Sequence, residues 1–237
     1  MFNGKMKAVT FSYDDGVTQD IRLIELLNKY KLKSTFNLNS ELFDLPGEIP
    51  YKDKILSHTK VPKKDVRKIY EGHEIAVHSL THPLLTALDE AEVIRQVEQD
   101  RLNLSELAGY EVIGMAYPCG GEQNDDRTAK IIKENTGVKY SRTITHSYSF
   151  DPQKNLYRFN PTAFHLDFET LYRMGEEFIN MKTDKPQIFY IWGHSYEFDM
   201  EDTWAQFEEF CKFISGHDDL FYGTNKEILL KDFSEYV

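Results

Sequence analysis

Two histidines stand four residues apart in the stretch Gly72-His73-Glu74-Ile75-Ala76-Val77-His78-Ser79-Leu80-Thr81-His82-Pro83. Two imidazoles so spaced can converge on one metal ion if the backbone presents them on one side. A zinc-protease helix requires glutamate directly after the first histidine, and here Ser79 stands there. Residues 74–77 read as extended, and Pro83 disfavours helix at His82. A strand-to-turn clamp therefore fits the pair better than a helical one. A second chemical candidate is the pair Asp14-Asp15, followed by Gly16. Asp-Asp-Gly is a common turn at a strand end. Neighbours leaving a strand also point different ways, so one carboxylate can bind a metal while the other faces water on it. Asp15 with His78 and His82 makes a two-histidine, one-carboxylate set with open positions, as a catalytic metal needs. Non-haem iron oxygenases use the same donor set, but on a scaffold unlike the one this chain encodes.

Further along, Tyr117-Pro118-Cys119-Gly120-Gly121 reads as a strand-ending turn. It can be that alone, or a rigid turn that aims a backbone N–H at a developing oxyanion. Cys119 as a nucleophile is the weaker alternative, because a metal-activated water fills that role. His194 lies between Gly193 and Ser195 after a strongly apolar run. A lone histidine is commonly structural; at a strand end beside other candidates it also suits an acid or base.

The elements that must position these residues alternate. Strands are expected near residues 7–12, 34–38, 74–77, 111–117, 139–144 and 187–192, with 156–159 as a further candidate. Helices are expected after Thr18, after Pro62, after Asp89, over 126–136, over 168–181 and around Trp204 to Ile214. Residues 39–61 carry Pro46, Gly47 and Pro50 and no clean period. They read as an excursion, of the kind that lies over the active face of a barrel. Alternating strand and helix specifies a parallel sheet with crossover helices. With no linker and no repeat, residues 1–237 read as one α/β domain. The polar candidates recur where strands end, which in a β/α barrel places them at one mouth.

Composition narrows the partners. The chain has 237 residues, 41% hydrophobic and 28% charged, with a net charge of −11. Disorder is excluded by the apolar content, and nucleic acid is disfavoured by the acidic balance. The basic run from Lys60 to Lys68 reads as a solvated helix face. Cys119 and Cys211, the two cysteines, make neither a disulfide framework nor a thiolate zinc site. No leader or spanning segment is read, so the expectation is a cytoplasmic enzyme without a membrane partner.

Taken together, the motifs resemble the polysaccharide deacetylases, carbohydrate esterase family 4, with the NodB-homology domain. Thr10-Phe11-Ser12-Tyr13-Asp14-Asp15-Gly16 is similar to the family's Thr-Phe-Asp-Asp-Gly with an altered lead-in. Gly72 through His82 matches the His-Ser/Thr-x-x-His motif and its Gly-His-Glu-Ile approach. Ala116-Tyr117-Pro118-Cys119-Gly120 resembles the third motif, and Ile188 through His194 the last, an apolar strand ending in histidine. The four occur in family order. The resemblance implies a distorted (β/α)7 barrel. It implies Asp14 as catalytic base, and Asp15, His78 and His82 as ligands of a divalent metal, zinc before cobalt, nickel or manganese. The Cys119 N–H would hold the oxyanion and His194 would be the general acid. The arginine that often orients the base is missing at Ala116, with Arg142 or Arg158 as replacements from another strand. The acidic partner of the acid histidine is expected at Asp167, or less readily Asp199. Tyr117, Trp192, Tyr148 and Tyr196 are candidates to stack on sugar rings. The implied activity is removal of acetyl groups from N-acetylated sugars or oligosaccharides. The rivals are an O-acetyl esterase on acetylated glycans, a hydrolase of non-sugar amides and, last, an inactive carbohydrate-binding barrel.

Overall fold

The computed structural model describes residues 1–236. In chain order the strands are β1 (Lys7–Asp14), β2 (Ser34–Leu38), β3 (Glu48–Tyr51), β4 (Lys54–Ser57), β5 (Glu74–Val77), β6 (Gly114–Ala116), β7 (Tyr140–Arg142), β8 (Ala163–Phe164), β9 (Gln187–Gly193) and β10 (Leu220–Tyr222). The helices are α1 (Asp20–Lys29), α2 (Val66–Ile69), α3 (Glu90–Ile94), α4 (Asp100–Ala108), α5 (Asp126–Asn135), α6 (Phe168–Asn180), α7 (Glu197–Glu201), α8 (Trp204–Ile214) and α9 (Asn225–Leu229).

Seven strands run in the order β7-β6-β5-β2-β1-β9-β8, all parallel. β10 extends the sheet beside the first half of β1, on the edge that β2 occupies further along. The sheet curls until Phe159 bridges Arg142 of β7 while Ala163 pairs with Ile191 of β9. One short segment thus closes a distorted barrel. The closing strand was not legible in the sequence. Residues 156–158 form a 3-10 turn instead, and the two-residue β8 follows.

Period two sorts each strand's side chains. On β1, Val9, Phe11 and Tyr13 face the helices and join the main core. Ala8, Thr10, Ser12 and Asp14 share the other parity. On β9 the same split puts Phe189 and Ile191 outward, and Ile188 and Tyr190 with Ala8 in a second cluster inside the barrel. Both faces are covered, so β1, β2, β5 and β9 are buried throughout. That is why they read as continuous runs rather than alternating ones.

The interior changes character along the barrel axis. The base is apolar, plugged by Phe2 and by Ile228 and Leu229 of α9. Above it, buried Glu74 accepts hydrogen bonds from Thr35 Oγ1 (2.8 Å), Tyr140 Oη (2.9 Å) and Lys226 N (2.9 Å). The glutamate of the Gly-His-Glu-Ile stretch is therefore a structural clamp on α9. At the C-terminal ends of the strands the interior becomes ionic.

Two local departures matter for the site. Residues 39–61 contain the exposed antiparallel hairpin β3–β4, where the sequence offers an excursion without a clear period. The helix capped by Asp89, whose side chain accepts from Glu92 N, is interrupted by a π turn at Arg95–Gln99. That turn leaves the Gln96 carbonyl to accept Leu80 N (3.0 Å) and brings Asp100 against the His78 loop. Among the described residues, no helix is long and apolar enough to cross a membrane.

Candidate active site

Asp14 ends β1, His78 follows β5, Tyr117 follows β6, Arg142 ends β7, His165 follows β8 and His194 follows β9. In a parallel barrel all these ends open at one mouth. There Asp14, Asp15, His78, His82, Tyr117, Cys119, Trp192, His194 and Tyr196 line a cavity of about 240 Å3.

One donor atom each from Asp15, His78 and His82 lie within 4.8 Å of one another. Asp15 Oδ1 is 3.5 Å from His82 Nε2 and 3.9 Å from His78 Nε2. His78 Nδ1 donates to Ala116 O (2.9 Å), which fixes the tautomer and leaves Nε2 free to coordinate. Burial lowers the His78 pKa to about 4 and also lowers that of His82, so both imidazoles are neutral at pH 7. Burial alone would raise the Asp15 carboxyl, but the His58 hydrogen bond and nearby positive groups hold it well below its usual range. One ionised carboxylate and two neutral imidazoles are the protonation states a divalent metal requires.

The loops that carry these donors are strained and braced. Asp15, Ser79, His82 and Cys119 all have positive φ, at 83°, 67°, 61° and 69°. Non-glycine residues in this region cost energy and persist where the surroundings enforce them. The bracing is specific. Asn39 Nδ2 donates to His78 O (2.6 Å) and Ser79 O (2.9 Å), Ser79 Oγ accepts from His82 N (3.1 Å), and Asp100 accepts from Ser40 N (2.7 Å) and His78 N (3.2 Å).

Asp14 lies deeper. Arg142 Nη2 contacts both of its oxygens, at 2.6 and 2.5 Å, and Asn37 Nδ2 donates to Oδ1 (2.8 Å). Burial pushes the carboxyl up, but the Arg142 guanidinium, joined by the charged His194, brings it below its usual value. Of the two arginines offered by the sequence, Arg142 is the one at Asp14. Arg158 lies elsewhere, bonded to Asn124 Oδ1 (2.7 Å) and Asp126 Oδ1 (2.6 Å). Trp192 covers the ion pair, with the guanidinium 4.6 Å from its ring centroid.

His194 Nε2 is 3.9 Å from Asp14 Oδ2. Its Nδ1 lies 3.1 Å from Glu197 Oε2, and its backbone N donates to the same oxygen (3.0 Å). Burial works against the charged imidazole, yet Glu197 outweighs it and raises the pKa to about 9. Neither Asp167 nor Asp199 fills this place. Asp167 caps α6 by accepting from Thr170 N (3.1 Å), and Asp199 accepts from Trp204 Nε1 (2.7 Å). Glu197 Oε2 also accepts from Nε2 of the fully buried His165 (2.8 Å). Sequence reasoning missed both residues. The i, i+3 spacing of His194 and Glu197 at a helix start was a usable signal for one; His165 had none.

Cys119 sits beside the donor set, its Sγ 3.4 Å from His82 O and 3.7 Å from His82 Nδ1. Burial and the Asp15 charge raise the thiol pKa, which disfavours a thiolate nucleophile. Among the described residues no hydrogen bond occupies the Cys119 N–H. Tyr117 Oη donates to Tyr157 O (2.8 Å), and Tyr148 is exposed. Lys60, expected on a solvated helix face, is buried off the helix and donates to Asp15 O (2.8 Å). His58 also reaches the mouth, from the end of β4.

A profile of the polysaccharide deacetylase family matches residues 3–141. The chain belongs to that family. Among curated proteins it is similar to peptidoglycan-N-acetylmuramic acid deacetylase PdaC of Bacillus subtilis, 27% identical over 124 residues, 52% of this chain. The chain spans only 23% of that relative's length. Among solved structures, a family 4 carbohydrate esterase from Streptomyces lividans, in complex with acetate, superposes with a TM-score of 0.56 at 14% identity and covers 93% of both chains. A family 4 pseudoenzyme from Bacillus anthracis reaches 0.53 at 17% identity, covering 94% of this chain and 65% of its own. These structural likenesses carry the polysaccharide-deacetylase barrel. Since an inactive relative shares that barrel, the case for activity rests on the side chains.

Proposed function

We propose that the chain is a metal-dependent hydrolase that removes acetyl groups from N-acetylated sugars of the peptidoglycan type. One observation carries the reading. Beside a three-donor cluster, the mouth holds an ionised carboxylate and a protonated imidazole 3.9 Å apart. Two titratable groups driven to opposite states by their surroundings are the mark of an assigned base and acid.

Asp15, His78 and His82 would hold the metal, zinc being the first choice for a two-histidine, one-carboxylate set. A divalent ion there would supply Lewis acidity and draw the pKa of a bound water from about 15.7 towards 7. Asp14 accepts the proton of the attacking water, its carboxylate aimed by Arg142 and Asn37. The Cys119 N–H donates to the oxyanion as the acetyl carbon becomes tetrahedral. His194 then delivers its proton to the departing nitrogen, and acetate and a free amine remain. Glu197 keeps that proton in place until it is needed. An amide nitrogen requires this protonation more than an ester oxygen does, so a proton held on His194 suits N-deacetylation. The 240 Å3 cavity is smaller than ordinary whole-ligand pockets of about 300–1,000 Å3. It suits an acetamido group against Trp192 and Tyr196, with the rest of a glycan outside.

The test is acetate release from N-acetylglucosamine oligomers and peptidoglycan fragments, with acetylated xylan as the ester control. Asp14→Asn is expected to keep the metal and lose about 10²–10⁴-fold in turnover. Full activity in metal-loaded Asp14→Asn protein would refute the assignment.

A further inference from the structure

We propose that His58 is a positioning residue for the Asp15 carboxylate, and that through it the hairpin β3–β4 is fastened to the metal-binding side of the mouth. The inference rests on the metal reading above and extends it to a residue outside the family motifs.

The two oxygens of Asp15 have different neighbours. Oδ1 faces His82 Nε2, Lys60 Nζ and His78 Nε2, at 3.5, 3.7 and 3.9 Å. Oδ2 lies 3.3 Å from His58 Nε2. With His58 donating to Oδ2, the carboxylate cannot swing, and Oδ1 alone stays directed between the imidazoles. His58 is not itself in the donor cluster, so it acts through Asp15. Residues that hydrogen-bond metal ligands set their orientation and basicity, and removing one costs about 10–100-fold in metal affinity.

The hairpin is built to deliver this histidine. His58 N donates to Gly47 O (2.7 Å), and Lys60 N to Leu45 O (3.0 Å). Gly47 permits the first contact, because a Cβ there would sit 2.7 Å from His58 O. Thr18 N donates to Thr59 O (2.9 Å), tying the segment to the loop after Asp15. The His58 ring packs edge-on against Tyr196, centroids 4.8 Å apart. At the far end, Tyr51 Oη and Lys52 Nζ both reach Glu201 of α7, the helix that also carries Glu197. The hairpin therefore bridges the loops that follow the neighbouring strands β1 and β9, with one end on Asp15 and the other on the helix that carries Glu197.

The experiment titrates zinc into the metal-stripped full chain by calorimetry, with cobalt and manganese in parallel, for wild type, His58→Ala, His58→Phe and His58→Gln. Phenylalanine keeps the ring against Tyr196 and removes the donor; glutamine keeps a donor. The expected result is a loss of about 10–100-fold in affinity for alanine and phenylalanine and near wild-type affinity for glutamine. Melting of the metal-free protein should show every variant folded, with His58→Ala, which loses the Tyr196 contact, lowered more than His58→Phe. Zinc should slow amide exchange over residues 48–57 in wild type and His58→Gln only. Wild-type affinity in His58→Ala would overturn this proposal and leave the metal reading standing. Wild-type affinity in His58→Phe would reduce the role to packing and overturn it equally. Failure of the wild type to bind any of the three ions would defeat the metal reading itself, and this inference with it.

Discussion

His78 and His194 face the same mouth in opposite protonation states. Burial holds His78 near a pKa of about 4, while His194 is driven to about 9 although burial works against it too. The difference is one carboxylate. Glu197 puts a single oxygen on both the ring and the backbone of His194. His78 Nδ1 instead meets the neutral Ala116 carbonyl, and Leu38 O and Asp100 both engage its backbone N–H. A carbonyl fixes orientation and favours the charged ring only weakly, too little to offset burial; a carboxylate fixes it and favours the charge strongly. The comparison teaches that histidine identity says little about its role. The atom behind the ring decides whether it offers a lone pair or a proton.

Removing a member of the donor cluster should have the largest effect. His78→Ala or Asp15→Ala is expected to abolish both zinc binding and acetate release, read by calorimetry and an acetate assay on the same preparations. Retained zinc affinity in either variant would break the division of roles between the two sides.

A smaller but broader effect is expected at the link between the sides. Arg142→Met keeps volume but strands Asp14, which is 2% exposed, without its counter-ion. Breaking a buried pair in this way costs about 3–5 kcal/mol. Denaturant unfolding should show that loss, and turnover should fall because Asp14 rises towards its burial-driven pKa. If Arg142→Met is as stable as wild type, the ion pair is not what holds the base.

The smallest effect sharpens the comparison most. Glu197→Gln keeps an acceptor beside His194 but removes its charge, so the His194 pKa should fall. An acid must carry its proton, so the basic limb of the rate profile should move to lower pH, with more activity lost at pH 8 than at pH 6. Stability should change in the same window. The contribution of the raised His194 pKa is fully present below its unfolded pKa of about 6.5 and is lost as pH rises through about 9. The variant should lack that contribution. An unchanged pH profile would show that Glu197 does not set the acid.

The two sides also differed in how plainly they were written in the chain. Asp14-Asp15 and His78 to His82 are short contiguous motifs, and both fall inside residues 3–141, which the family profile matches. Arg142, His165, His194 and Glu197 lie beyond it. Arg142 was offered as one of two arginines, because nothing local tells which strand end faces Asp14. Asp167 looked suitable as a partner for His194 because it is acidic and near a strand end, yet its side chain is spent capping α6. His58 lay in a segment with no period, and a hairpin of exposed strands has no hydrophobic pattern to announce it.

The sequence by itself determined the parallel α/β alternation, the buried strands and the donor set, because each depends on residue type at fixed local spacing. Only the tertiary structure decided which arginine meets Asp14, which carboxylate pairs with His194 and which histidine lies against Asp15. Two of those three contacts join residues far apart in the chain, Arg142 to Asp14 at 128 positions and His58 to Asp15 at 43. The third, Glu197 to His194, is local in sequence, but its strength comes from burial within the closed barrel. Spacing along a chain encodes neither distance across a barrel nor the dielectric inside it.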